Sequence, residues 1–210
     1  GDGSLGTAAG ILAASGAELA ILPLGTRNHF ARQICVPLDL AEAAGLAVRG
    51  TALAVDIGVA GHRTFLNNVS LGAYVELIRA RESIGLGKLT GSIVAGWHVL
   101  RRLRPRRYRL ALDGRRRAVE TVQMFIGNNR YEIDEGNPGE RHNLADGRLS
   151  VFAAAPMSRP GLLRAAWRMA VGLPPAARDF AIDEDVRELV IEGEGRLTVA
   201  MDGEARSVAL

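Results

Sequence analysis

The stretch that most constrains this chain is Leu22-Pro23-Leu24-Gly25-Thr26-Arg27-Asn28-His29-Phe30-Ala31-Arg32. An apolar run, Leu19 to Leu22, leads into it, and a helix-like segment, Asn28 to Ile34, follows. A strand, a tight glycine turn and a helix start, in that order, leave free backbone N–H groups at the positive end of a helix, where an anion is held. Thr26 and Asn28 add short polar side chains at the turn. A second glycine-rich turn opens the chain, Gly1-Asp2-Gly3-Ser4-Leu5-Gly6-Thr7, and runs into an alanine-rich helical segment, Ala8 to Ala14. Taken alone, each turn reads most simply as a structural β–α connection.

Residues 1–50 continue this alternation. Glu18 to Leu22 reads as a buried strand, and Leu38 to Val48 as a helix with Asp39 in its first turn and Gly50 beyond its end. Such alternation predicts part of an α/β domain with a parallel sheet. From Thr51 the texture changes to short alternating runs. Ala52–Ile57, Thr64–Val69, Tyr108–Leu112, Ala118–Ile126, Leu149–Ala154, Glu188–Ile191, Arg196–Met201 and Ala205–Leu210 all read as strands. Asp113-Gly114 and Asp202-Gly203 lie between such runs, a strong hairpin signal. Helices are expected over Lys88–Leu103 and from Pro160 to Val171. The second region therefore reads as an all-β sandwich with helical insertions.

The two glycine turns in sequence, GDGS and then PLGT-x-N-x-F-A-R, resemble the diacylglycerol kinase family of lipid kinases, which includes the sphingosine and ceramide kinases. Val55-Asp56-Ile57-Gly58, Phe65-Leu66-Asn67-Asn68, Gly127-Asn128-Asn129, Ala145-Asp146-Gly147-Arg148-Leu149 and Met201-Asp202-Gly203-Glu204 follow in that family's order. The resemblance implies α/β plus all-β architecture. An N-terminally truncated nucleotide-binding domain, residues 1–50, would precede a β-sandwich lipid-kinase domain, residues 51–210, leaving the last strand able to return to the first unit. The family has a further βαβα stretch before Gly1, so the 210-residue chain is expected to be a fragment that does not turn over ATP alone. Its exposed sheet edge leaves pairing with a second copy open.

The resemblance also assigns roles. Phosphoryl transfer from ATP needs a phosphate cradle, a divalent cation and a base for the attacking hydroxyl. The cradle would comprise Gly1, Asp2, Gly3, Ser4, Gly25, Thr26 and Asn28. Magnesium prefers oxygen ligands, and the family's cation network maps onto Asp2, His29 and Asp56. Histidine there departs from the family's aspartate, as Arg27 departs from its usual small residue. His29 would hydrogen-bond a metal-bound water or a phosphate, or merely cap its helix. A structural magnesium would be held by the Asp146 side chain and the backbone carbonyls of Asn143 and Arg148. Glu204 would accept the hydroxyl proton, with Asp202 as rival or partner; the plain alternative is a hairpin turn and nothing more. The implied activity is transfer of the ATP γ-phosphoryl to a lipid hydroxyl such as that of diacylglycerol, within phospholipid biosynthesis. A non-catalytic lipid-binding relative, or a kinase of a soluble substrate related to the NAD kinases, are the alternatives.

Composition narrows the rest. A net charge of +3 does not imply general polyanion binding, so no nucleic-acid partner is expected. No apolar run approaches the ~20 residues of a membrane-spanning helix, and the single Cys35 fits a reducing, cytoplasmic setting. Arginine crowds one region, at 101, 102, 104, 106, 107, 109 and 115–117, while Asp183 to Glu194 is acidic. Such a run reads either as a solvated face or, beside Trp97, as a patch that approaches anionic lipid. His62, His98 and His142 lack ligand spacing, and no zinc site is expected.

Overall fold

The structure, a computed structural model, describes residues 2–25, 28–84, 104–131, 141–156, 161, 164, 167–168 and 179–210. Helix α1 covers Asp2–Ala13, α2 His29–Gln33 and α3 Leu40–Arg49. Gly3 and Gly6 are thus inside α1 rather than in a turn before it. Asp39 is the N-cap of α3, its Oδ1 accepting from the N–H groups of Ala41 and Glu42, the arrangement that satisfies orphan helix donors.

The strands expected over 18–22 and 52–57 do not form. Residues 17–24 belong to no ladder, and the first strand is β1, Gly58–Ala60, paired with β2, Arg63–Phe65. The parallel sheet expected for residues 1–50 is likewise absent among the described residues, where every ladder between strands is antiparallel. An apolar run forms a buried strand only when neighbours supply hydrogen bonds on its edges. Here Ile21 instead packs with Phe30, Ala31 and Leu66 in a small apolar cluster beside α1.

The larger part consists of two antiparallel sheets. β3 (Asn68–Gly72), β6 (Gln123–Asn128), β7 (Leu149–Ala154), β8 (Phe180–Val186), β10 (Arg196–Met201) and β11 (Glu204–Ala209) form a six-stranded sheet in the order β11-β10-β3-β6-β7-β8. β4 (Arg106–Leu112), β5 (Arg115–Thr121) and β9 (Leu189–Glu192) form a three-stranded one, ordered β5-β4-β9. One apolar core draws on both. Leu110, Leu112 and Val119 from the small sheet pack with Leu71, Met124, Val151 and Val186 from the large one. Burying each leucine contributes about 1.5–3 kcal/mol relative to exposure.

The run read as one strand over 118–126 is two. Thr121 ends β5, Gln123 begins β6, and Val122 alone passes between the sheets. The Thr121 hydroxyl donates to the carbonyls of Gln123 and Ala154 across this corner. Helix α4, Ala73–Ile84, follows β3 and packs on β10 and β11 through Val75 and Ile78, close to Ala200 and Ala205. The helix expected over 88–103 lies outside the described residues; of that over 160–171, residues 161, 164, 167 and 168 are described, and all four are helical.

Candidate active site

Helix α1 presents Gly3, Gly6 and Gly10 to the β10–β11 hairpin and to β2. A Cβ added at Gly3 would stand 2.6 Å from Glu204 Oε1, one at Gly6 2.9 Å from Asp202 Oδ2, and one at Gly10 2.3 Å from Thr64 Oγ1. Thr64 closes the contact by donating its hydroxyl to the Gly6 carbonyl at 2.7 Å. Spacings of three and four residues place these glycines on one helical face. The glycines read as a phosphate turn therefore act by removing side chains between a helix and two carboxylates.

Between these elements opens a cleft of about 360 Å³. Gly3, Thr7, His62, Arg63, Asp202 and Glu204 are among its lining residues. Glu204 is half exposed and ion-pairs with Arg206. Asp202 is more deeply set. Its Oδ1 accepts from the N–H groups of Asn67 (2.8 Å) and Asn68 (3.1 Å), and its Oδ2 from that of Leu66 (3.0 Å). Burial pushes its carboxyl above the ordinary range, and these three N–H groups pull the other way without cancelling it.

The second glycine turn is wired differently from a phosphate cradle. Asn28 adopts a left-handed backbone, and its side chain folds back on the loop. It accepts from Gly25 N–H and donates to the carbonyls of Pro23 and Gly25. The start of α2 holds an anion, but an internal one: Asp2 accepts from the N–H groups of His29 (3.2 Å) and Phe30 (3.0 Å). His29 contributes that backbone N–H while its imidazole is exposed. The polar side-chain atoms of Asp2 and Asn28 are thus engaged by the protein itself. Gly1, Thr26 and Arg27 lie outside the described residues, and Ser4 is exposed in the first turn of α1.

The expected cation network is also rearranged. Asp2 meets His29 at its backbone N–H, and no group of three or more His, Cys, Asp or Glu suited to a metal occurs among the described residues. Asp56 meets Asp146 instead, through Asn129, whose Nδ2 donates to Asp56 Oδ2 at 2.7 Å and to Asp146 Oδ1 at 3.1 Å. Asp56 Oδ2 also accepts from Gly147 N–H, and Asp146 accepts from the N–H groups of Arg130 and Arg148. Asn143 turns its side-chain oxygen to Ala145 N–H, and the Arg148 carbonyl accepts from Asn129 N–H. One atom stands out. Asn129 Oδ1 is buried and finds no donor among the described residues. Two carboxylates beside an orphaned carbonyl oxygen are hard donors of the kind that suit a divalent cation.

Residues 1–60 match the family model described as the diacylglycerol kinase catalytic domain. Over those residues the chain is similar to that domain. It is 43% identical over 93 residues to the Probable lipid kinase YegS-like of Pseudomonas syringae pv. tomato, covering 43% of this chain and 30% of that protein. Against the protein of the same name from Klebsiella pneumoniae it is 31% identical over 135 residues, or 62% of this chain and 46% of the other. The chain thus spans less than half the length of these relatives. A diacylglycerol kinase structure from Bacillus anthracis str. Sterne matches 92% of this chain and 62% of its own, with a TM-score of 0.59 at 23% identity. A candidate diacylglycerol kinase from the same organism matches all of this chain and 70% of its own, with a TM-score of 0.69 at 24% identity. These likenesses extend the shared fold well beyond the residues of the family model.

Of the diacylglycerol kinase motif residues, the structure gathers Gly3, Asp202 and Glu204 at one cleft, and Asp56 with Asp146 at a separate cluster. Sequence reasoning quoted Asn129 within a motif but missed it as the bridge of that cluster. It also passed over Thr64 and Arg141. Arg141 follows the motif-poor segment 132–140 and carried no spacing signal. The arginine-rich region proves largely paired: Arg115 and Arg117 meet Glu184, Arg109 and Arg116 meet Glu192, and Arg106 meets Glu76. Arg101, Arg102 and Trp97 lie outside the described residues.

Proposed function

We propose that this chain carries the acceptor side of an ATP-dependent lipid kinase that moves the γ-phosphoryl of ATP to the hydroxyl of a lipid such as diacylglycerol. The observation that carries this reading is the meeting of Gly3 with Glu204 and Gly6 with Asp202, which brings the two ends of the chain to one open cleft. Residues 1–50 would form part of the nucleotide-binding unit and 51–210 the lipid-binding one.

In this reading the lipid hydroxyl enters beside Glu204. Its proton passes to the Glu204 carboxylate as the oxygen bonds to the γ-phosphorus and ADP leaves. The Arg206 ion pair fixes the direction of that carboxylate. Asp202, fastened by three backbone N–H groups, holds the hairpin against β2 and β3. When bound, magnesium would spread the charge of the phosphates. The residues that would hold a structural cation are Asp56, Asp146 and Asn129. A lipid acceptor also calls for contact with a membrane surface. No helix among the described residues is long and apolar enough to cross one.

A second reading, a lipid-binding relative without catalysis, draws support from Asp2, whose carboxylate is already spent on α2. Labelled ATP, magnesium and mixed micelles of diacylglycerol separate the two. Radiolabel in the extracted lipid supports the kinase. Micelle binding without label, in this chain and in one extended to the length of its relatives, supports the second reading.

A further inference from the structure

Arg141 is 5% exposed, and no carboxylate among the described residues stands within ion-pair distance of it. Its five N–H donors are nevertheless all placed. Nε and Nη2 fork onto Gln33 Oε1 at 2.8 and 2.7 Å, and Nη2 also reaches Asn67 Oδ1 at 3.1 Å. Nη1 donates to the carbonyls of Leu66 (2.8 Å) and Asn128 (3.0 Å). Gln33 returns a bond from its amide nitrogen to the Arg141 carbonyl, and the guanidinium lies over the Tyr131 ring. Neutral acceptors satisfy its hydrogen bonds, but they leave its charge uncompensated, and a buried charge without a counter-charge is costly.

The counter-charge is one peptide away. The Leu66 carbonyl accepts from Arg141, and the N–H of the same peptide unit, that of Asn67, donates to Asp202 Oδ1. The next unit repeats the pattern. Its carbonyl, on Asn67, accepts from the Tyr131 hydroxyl and from Asn128 N–H, and its N–H, on Asn68, donates to Asp202. A peptide unit is a dipole of about 3.5 D. Here the negative end of the first one faces the guanidinium and the positive end faces the carboxylate, so the amide polarises in the sense that links the two charges.

We propose that Arg141 is a positioning residue of the candidate site, the buried counter-charge that holds Asp202 as a carboxylate through the Leu66–Asn67 peptide. The functional consequence rests on the kinase reading of the cleft; the electrostatic link does not. Other charged and titratable groups face Asp202. Asp2 comes from α1, Tyr131 from the β6–β7 connection, His62 and Arg63 from the β1–β2 turn, and Glu204 and Arg206 from its own hairpin. Of the basic groups among these, His62, Arg63 and Arg206 are exposed and water-screened, whereas Arg141 is buried. Burial lowers the Arg141 guanidinium as it raises Asp202, and the charges of Asp202 and Asp146 act against the loss of the guanidinium's own.

Carboxyl carbon NMR on the 210-residue chain tests this by following the Asp202 titration. Arg141→Gln should raise the Asp202 midpoint by about one pH unit or more, whereas Arg141→Lys, which keeps the charge but loses the fork, should hold it within a few tenths. Tyr131→Phe removes a neutral donor from the same segment and should lower the melting temperature while leaving the midpoint in place. Equal shifts in the Gln and Lys variants, or no shift in either, would overturn the proposal. Should Arg141→Gln fail to fold, Gln33→Glu sets a carboxylate on the intact fork. The Asp202 midpoint must then rise, and an unmoved midpoint overturns the link. Absence of lipid phosphorylation by a chain extended to the length of its relatives would count against the kinase reading alone, since the titration needs no turnover.

Discussion

The turn joining β4 to β5 and the turn joining β10 to β11 have the same two residues and nearly the same backbone. Asp113 and Asp202 both sit at φ 46°, Gly114 at 80° and Gly203 at 86°, the doubly positive φ of a type I′ hairpin. Both aspartates also accept backbone N–H groups from a distant strand end. Asp113 Oδ1 takes those of Arg187 and Glu188, and Asp202 takes three. Their protonation is nonetheless biased in opposite directions. The Glu188 N–H, foremost, holds Asp113 below the ordinary carboxylate range in open solvent. Burial holds Asp202 above it despite one bond more. Local sequence sets the turn, and the packing of α1 over one hairpin sets the chemistry.

The sharpest way to break this contrast compares the residue that follows each turn by two. In a chain extended to the length of its relatives, Glu204→Gln keeps size and reach and removes the proposed base, so lipid phosphorylation should fall by roughly 100- to 10,000-fold. Arg115→Gln, at the matching place in the other hairpin, should leave turnover unchanged. Similar rates in both variants would return Asp202-Gly203-Glu204 to the status of a simple turn.

The turn aspartates themselves come next. Asp202→Asn must offer an amide NH₂ to a cradle of N–H groups, and the loss of one satisfied acceptor should cost about 1–3 kcal/mol. Asp113 uses only Oδ1, so Asp113→Asn retains its bonds and its favoured Asn-Gly turn. Melting curves of the two variants should therefore separate clearly. Coincident curves would mean that the Asp202 cradle contributes nothing beyond its hairpin.

A smaller effect concerns pH. The raised Asp202 contributes stability that is present below its unfolded pKa and lost as pH rises through its folded value; the lowered Asp113 contributes stability present above its unfolded pKa and lost as pH falls through its folded value. From about pH 3 to about pH 7, the stability difference between wild type and Asp202→Asn should shrink as pH rises. That between wild type and Asp113→Asn should grow. Parallel slopes would erase the distinction between the hairpins.

Much of this architecture was legible in the residues. β7 and β10 fall where alternation placed them, both Asp-Gly hairpins form, and the order of motifs pointed to the diacylglycerol kinase family. What misled was local texture that long-range contacts override. Glu18 to Leu22 has a strand's composition but no edge to pair with. Gly3 and Gly6 spell a loop, yet with Gly10 their spacing is that of one helical face, a signal present in the sequence and read at the wrong period. β8 went unseen because Asp183, Glu184 and Asp185 look like a solvated run. Glu184 is in fact the counter-charge of Arg115 and Arg117, whose alternation in β5 puts both on one side. Arg141 could not be read at all, since its five partners come from three separate stretches of chain.

The single-residue passage at Val122 has a consequence for how proteins of this kind can vary in length. Strand side chains alternate with a period of two, so one residue inserted between Thr121 and Gln123 would turn every side chain of β6 to the opposite face. Met124 and Ile126 would leave the core, and Asn128 would leave the Leu66 carbonyl that it shares with Arg141. Insertions and deletions are therefore forbidden at this corner. Among natural relatives and in any circularly permuted or loop-grafted variant, length changes should accumulate elsewhere, at open turns such as Gly114 and Gly147, where an added Cβ meets nothing.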